Sequence, residues 1–376
     1  MTYLRHTILL LALAAIASGC GSSGGSFGGS GGSAGMGGRA GSGGGGSGAA
    51  IASPSLPWPL IEFPALPDIA VDVPEERLEL GRLLFYDPVL STDKQTACAT
   101  CHSELWGMGD GIELGVGHGA GPETGPGRDG PNISRRNSQA LYNLVFRETL
   151  LWDGRAASLE EQATMPLLAE EELDIDPELA AERVSEIPEY VDMFAAAFPE
   201  DPRVTVDNMA AAIAAFQRTI VSDNALYDAY IKGAPNTLDE EMVEGMFRFA
   251  KMGCDGCHTP PLFESETFAD RNVPSNEGVV DLGLAEFTEQ PEDNGKFRTP
   301  SLRNSFVTEP YFHNGSAKQL KDAVEHELEQ SGLPFTDEDV FLIEGFIHRA
   351  LRDESRAAKR PDTVPSGLPV PIDNGF

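Results

Sequence analysis

The chain has 376 residues, with 27 Lys and Arg against 59 Asp and Glu and a formal net charge of −32 at pH 7. That balance excludes a basic nucleic-acid-binding surface and turns any partner docking by charge towards a basic protein or a local patch; a solvated acidic surface would have the same composition. Beyond the first fifty residues about 325 remain, enough for two domains with cores of their own.

In chain order, Arg5 and the apolar run Ile8 to Ala17 predict a signal peptide over residues 1–19, the run being too short to span a bilayer. Ala17-Ser18-Gly19-Cys20 resembles a lipobox. It predicts an exported protein on the periplasmic side of a bacterial membrane, held by lipid on Cys20; plain secretion with an odd thiol is the alternative. No other stretch reads as membrane-spanning, so membrane contact is expected through the anchor only. Residues 20–53, rich in Gly and Ser, read as a flexible tether.

The body reads as mainly α. Residues 75–86 are predicted helical, and over 205–221 Val206, Met209, Ile213, Phe216 and Ile220 form one apolar face. Thr237 to Glu240 looks like a capping box opening a helix towards Cys254. Thr336 to Asp339 looks like another, leading into Val340, Ile343, Ile347 and Leu351. The Gly-rich stretch 107–130 reads as loop, and no strand pattern is sustained. The expected domains are 54–230 and 231–376, joined near 222–236.

Five cysteines carry most information. Beside Cys20 stand two C-x-x-C-H motifs, Cys98-Ala99-Thr100-Cys101-His102 and Cys254-Asp255-Gly256-Cys257-His258. This is the c-type haem attachment signature, two thiols for the vinyl groups and a histidine for the iron. Zinc held by Cys pairs and a thioredoxin-like dithiol are the competing chemistries. Export favours two covalent c-type haems.

Around these motifs the chain resembles the bacterial di-haem cytochrome c peroxidases and their MauG-type relatives. The resemblance runs through Leu80 to Asp87, Cys98 to His102, Arg136 to Ser138, Trp152 to Arg155, Ser158 to Gln162, Cys254 to His258, Arg298 to Asn304 and Pro310 to Gly315. It implies two cytochrome c-like haem domains. The N-terminal peroxidatic haem would be bound by Cys98, Cys101 and His102, and the C-terminal electron-transfer haem by Cys254, Cys257 and His258. It further implies Trp152 between the haems, and a calcium ion held by the Asn137 side chain and the Thr308 and Pro310 carbonyls, oxygen donors that suit this cation. Glu172 falls at the family's acid–base position, with Gln162 as hydrogen-bonding partner; Glu170 and Glu171 are the register alternatives. Moving one proton between the two oxygens of peroxide is work for such a carboxylate. His118, between Gly117 and Gly119, matches a removable distal iron ligand.

One departure stands out. The sixth ligand of the C-terminal haem, Met or Tyr in the family, falls on Glu327 beside His326, and no methionine follows Met252. Glu327 or His326 could bind instead, His313 and His348 are remoter candidates, or the site stays open; in each case the high potential of His/Met ligation is in doubt. The expected reaction is reduction of hydrogen peroxide to water with electrons from a small carrier, a cytochrome c or cupredoxin. A MauG-type enzyme oxidising residues of a partner protein is second, and a non-enzymatic electron carrier third.

Overall fold

Two glutamates in the first turn and leucines on one face make Glu75–Tyr86 a helix (α1), over the span its periodicity predicts. The computed structural model describes residues 73–373 apart from 235, 277, 354, 356 and 357. Contacts divide the chain into residues 1–52 and 53–376, and every described residue belongs to the second unit. The expected signal peptide, Cys20 and the tether lie outside the described residues.

After α1 come α2 (Cys98–Cys101), α3 (Leu159–Leu168), α4 (Pro177–Ser185), α5 (Pro188–Ala197), α6 (Val206–Gln217) and α7 (Leu226–Ile231). Then follow α8 (Glu240–Lys251), α9 (Ala285–Thr288), α10 (Leu320–Ser331) and α11 (Asp337–Gly345), which runs on as a π turn, Phe346–Ala350. Strand is confined to the two-residue segments β1 (Glu123–Thr124), β2 (Phe268–Ala269), β3 (Phe297–Arg298) and β4 (Ile372–Asp373); β1 pairs with β4 in parallel and β2 with β3 antiparallel. The protein is thus mainly helical, and the Gly-rich 107–130 stretch is loop apart from β1. Thr336 caps α11 in the expected box with Asp339. At α8 the cap is Asp239, which accepts from Met242 N, while the Thr237 hydroxyl donates to Ala234 O instead.

Buried apolar side chains form two clusters. One gathers α1 and α3 to α6, the other α7, α8, α10 and α11. Each rests on a helix pair crossing at a glycine. A Cβ on Gly81 would lie 1.8 Å from Ala212 O, and one on Gly245 2.1 Å from Leu342 O, so α1 lies directly on α6 and α8 on α11. Other geometry recurs. Asn143 and Asn304 both have left-handed φ; Asn143 exchanges hydrogen bonds with the Ser222 backbone and Asn304 with that of Asp353. Leu151 and Phe312 (φ +70° and +69°) open matching turns that close at Gly154 and Gly315, with bridges Leu150–Ala156 and Tyr311–Ala317. The clusters are therefore two copies of one local plan, in which Trp152 and His313 hold the same place.

The plan has one crossing. Residues 358–370 leave the second half and return to the first, where Val364 is buried and Leu368 and Val370 pack beside it. Beyond them Asp373 Oδ1 accepts from Ser103 Oγ (3.1 Å) and Thr124 Oγ1 (2.6 Å), and Arg360 Nε donates to Glu104 at 2.9 Å.

Candidate functional site

Both C-x-x-C-H motifs sit at the edge of a cluster, and both histidines are oriented alike. The backbone brings His102 Nδ1 to 3.0 Å from Met108 O and His258 Nδ1 to 3.1 Å from Phe263 O. With Nδ1–H donating to a carbonyl, Nε2 keeps its lone pair for a metal, the usual second-shell arrangement of a ligating histidine. Burial lowers both ring pKa values, favouring the neutral ligand form. Burial also pushes the Cys98 and Cys254 thiols up to about 12 and raises Cys101. A redox dithiol needs a lowered pKa, and these thiols have the opposite. Zinc needs four converging ligands, and among the described residues no three His, Cys, Asp or Glu side chains are placed to hold a metal.

Cys254, Cys257 and His258 open onto a cavity of about 760 Å³, walled by Phe249, Met252, Val324 and Ile347 among others. Its size and apolar walls fit a haem. Cys98, Cys101 and His102 line a narrow cavity of about 40 Å³ together with Gln162, Pro166, Glu172 and Gln217. There the donor set, two cysteines and a histidine, is the one a c-type haem takes, in a space that Pro166 and Leu173 help to close.

Of three successive carboxylates, Glu170 and Glu171 are exposed and Glu172 turns onto the narrow cavity. Burial, with Glu171 adding to it and Arg155 opposing, pushes the Glu172 carboxyl up to about 7. Gln162 Oε1 accepts from Gln217 Nε2 at 3.2 Å. Gln217, on the last turn of α6, is a site residue that sequence reasoning missed; its only trace was a polar residue beside the apolar face. His118 is not in the cavity wall. Its Nε2 lies 3.1 Å from Glu170 O and 2.9 Å from Asn132 Nδ2, and its backbone N–H donates to Glu172 O at 2.8 Å. Gly117 permits that approach, since a Cβ there would fall 2.1 Å from Glu171 O.

Between the motifs, Trp152 Nε1 donates to Asn137 O (2.9 Å) and Asn137 N donates to His313 O (2.8 Å). The Trp152 ring meets the His313 ring edge-on at 6.4 Å, and His313 stacks on Phe297 at 3.6 Å. Burial holds His313 down to about 4, so it is neutral. Arg136 binds Asp153 and Asp281 (2.6 and 2.7 Å) and fixes the Trp152 turn to the second half. Asn137, Thr308 and Pro310 share the wall of the larger cavity, and the Asn137 side-chain amide nitrogen donates to Ile112 O and Glu113 O.

Glu327 also lines the larger cavity, with Arg271. Arg271 Nε donates to Glu327 Oε2 at 2.7 Å, and the Arg271 carbonyl lies 2.8 Å from His326 Nε2. One residue, invisible to the sequence reading, thus engages both candidate sixth ligands. His326 is outside the cavity wall, edge-on to Phe312; His313 lines it, and His348 stacks on Phe306.

Residues 75–236 match the family profile described as di-haem cytochrome c peroxidase. The cytochrome c551 peroxidase of Pseudomonas aeruginosa is 36% identical over 73% of this chain and 79% of its own length. The methylamine utilization protein MauG of Methylorubrum extorquens is 34% identical over 67% and 68%. Among solved structures, a MauG-like protein associated with microbial copper homeostasis superposes with a TM-score of 0.65 at 27% identity, covering 81% of this chain and 97% of that one.

Proposed function

This chain belongs to the di-haem cytochrome c peroxidase family of oxidoreductases, and on that footing we propose that it reduces hydrogen peroxide to water at the cavity beside His102, drawing two electrons from a small carrier protein. The observation that carries the reading is Glu172, alone of its acidic run in that cavity and with a carboxyl near neutrality.

Cys98, Cys101 and His102 would hold one haem and Cys254, Cys257 and His258 the other, in two cytochrome c-like domains meeting near residue 230. Bound there, haem supplies the iron redox chemistry that the protein lacks. Glu172 near pH 7 can take the proton from one peroxide oxygen and return it to the other, and Gln162 orients the molecule. Two electrons and two further protons complete two waters. His118 would gate the site, its glycine-flanked loop resting on the backbone of Glu171 and Glu172. Trp152, with His313 against it, would lie on the path between the haems. Calcium would bind Asn137, Thr308 and Pro310. A donor such as a cytochrome c or cupredoxin would meet an acidic surface, and Cys20 would tether the protein by lipid at the periplasmic face of a membrane.

Peroxide-dependent oxidation of reduced cytochrome c by the two-haem protein tests this; absence of turnover with that donor and with a reduced cupredoxin rejects it. A second reading, oxidation of a partner protein in the manner of MauG-type enzymes, draws on the second cavity. No methionine follows Met252 to serve as a ligand there, and Glu327 is held by Arg271.

A further inference from the structure

Gln217 presents an unusual combination. Its side chain is 4% exposed, it lines the same narrow cavity as His102 and Glu172, and its Oε1 is buried without a hydrogen-bond partner. Its Nε2 donates to Gln162 Oε1. That bond uses the Gln162 oxygen and leaves the Gln162 NH₂, which makes no other hydrogen bond among the described residues, to face a ligand. The Gln217 backbone cannot drift, because α6 is locked on α1 through the rings of Phe85, Tyr86 and Phe216.

The fold itself does not require an amide here. Gln217 lies five residues before Ser222, the partner of Asn143; five residues before Asp353, the partner of Asn304, stands His348, exposed and outside the second cavity. A buried acceptor without a donor is costly, and the matching position of the second half carries no buried amide.

We propose that Gln217 is a peroxide-binding residue: its Oε1 accepts an O–H of hydrogen peroxide, and its Nε2 fixes Gln162 with the NH₂ turned to the other oxygen. Hydrogen peroxide brings two O–H donors and lone pairs on both oxygens. Gln217 Oε1 supplies an acceptor, Gln162 a donor, and Glu172 a group that can be either. A substrate with one oxygen, such as water, fills only part of this set.

The inference rests on the peroxidase reading, and one set of variants of the two-haem protein separates the two. Gln217→Met keeps the volume and removes both polar atoms. The expected result is a loss of about tenfold in kcat/KM for peroxide, carried by KM, with the KM for the electron donor and the haem content unchanged. The melting temperature should hold or rise by about 2 °C, because the orphan acceptor is gone. Combined with Gln162→Met, the losses should be less than multiplicative, since the two amides act as a pair. If Gln217→Met does not fold, Gln217→Leu, which also lacks both polar atoms, must show the same rise in KM. An unchanged KM for peroxide, or a lowered melting temperature with kcat and haem content falling together, would overturn the inference and make Gln217 a packing residue. Glu172→Gln serves as control: if it leaves turnover intact, the peroxide reading itself fails; if it abolishes turnover while Gln217→Met is silent, only this inference fails.

Discussion

Trp152 and His313 stand at the same point of a repeated turn and meet edge-on, ring centroids 6.4 Å apart. Each turn begins at a residue with left-handed φ and ends at a glycine, so neither ring can leave without breaking a backbone motif. Asn137 ties them together, accepting from the Trp152 indole and donating to the His313 carbonyl. Trp152→Phe should therefore cost about 1 kcal/mol of stability, the worth of one hydrogen bond. Peroxide turnover should fall by more than the roughly fivefold that such an energy explains. Denaturant unfolding and steady-state kinetics on the same preparation check it; proportionate losses would reduce Trp152 to a packing residue.

Glu172→Gln should lower peroxide turnover by roughly 10²–10⁴-fold with both haems retained. In the wild type kcat/KM should rise with pH through about 7 as the carboxyl ionises, and the variant should lose that limb. Stability follows the opposite sign. The folded value lies above the ordinary 4.5, so below 4.5 the carboxyl is protonated whether folded or unfolded and the exchange is neutral. Above it the unfolded chain releases a proton that the folded chain retains, and folding is weakened until about pH 7. The variant should hence be the more heat-resistant form at pH 8 and not at pH 4, as thermal melts at the two pH values would show.

Glu327→Met places a thioether where a carboxylate is paired with Arg271. Both partners are about one-third exposed, so losing the pair should cost less than about 1 kcal/mol. The midpoint potential of the C-terminal haem should rise, because thioether ligation favours ferrous iron. Potentiometric titration reads this directly, and a potential unchanged or lowered would mean that α10 does not face the iron.

Arg303 and Asp228 form a fully buried two-point pair, 2.8 and 2.6 Å, that joins α7 to the loop before Asn304. Asp228→Ala strands a buried guanidinium and should destabilise the protein by about 3–5 kcal/mol. Adding Arg303→Met should restore most of that loss; urea titration of single and double variants decides.

The sequence made the chemistry legible where residue type alone carries it. Two C-x-x-C-H motifs need no fold to be read, and the three- and four-residue spacing of Met209, Ile213 and Phe216 or of Val340, Ile343 and Ile347 marks a helix face before any packing is known. What stayed hidden depends on distance in space. Gln217 and Gln162 are 55 residues apart and Arg271 and Glu327 are 56 apart, so neither pair leaves a local pattern. The repeated turn was hidden differently: Trp-Asp-Gly and His-Asn-Gly share only their glycine and backbone angles, which residue-type comparison does not see. At α8 the expected box opened on Thr237, but the helix begins two residues later, with Asp239 as its cap.

The returning segment 358–373 has a consequence for how the molecule can be divided. A cut near residue 225 would give a first fragment whose core lacks Val364, Leu368 and Val370 and whose His102 loop lacks the Asp373 and Arg360 contacts. The second fragment would carry an apolar strap with nothing beneath it. The two halves repeat one plan, yet they are not separable modules: the first is closed by residues translated after the second, like a box whose lid is hinged on its neighbour. A fusion or tag placed at the C-terminal end would therefore be felt at the loop beside His102, far away in sequence, before it was felt at His258.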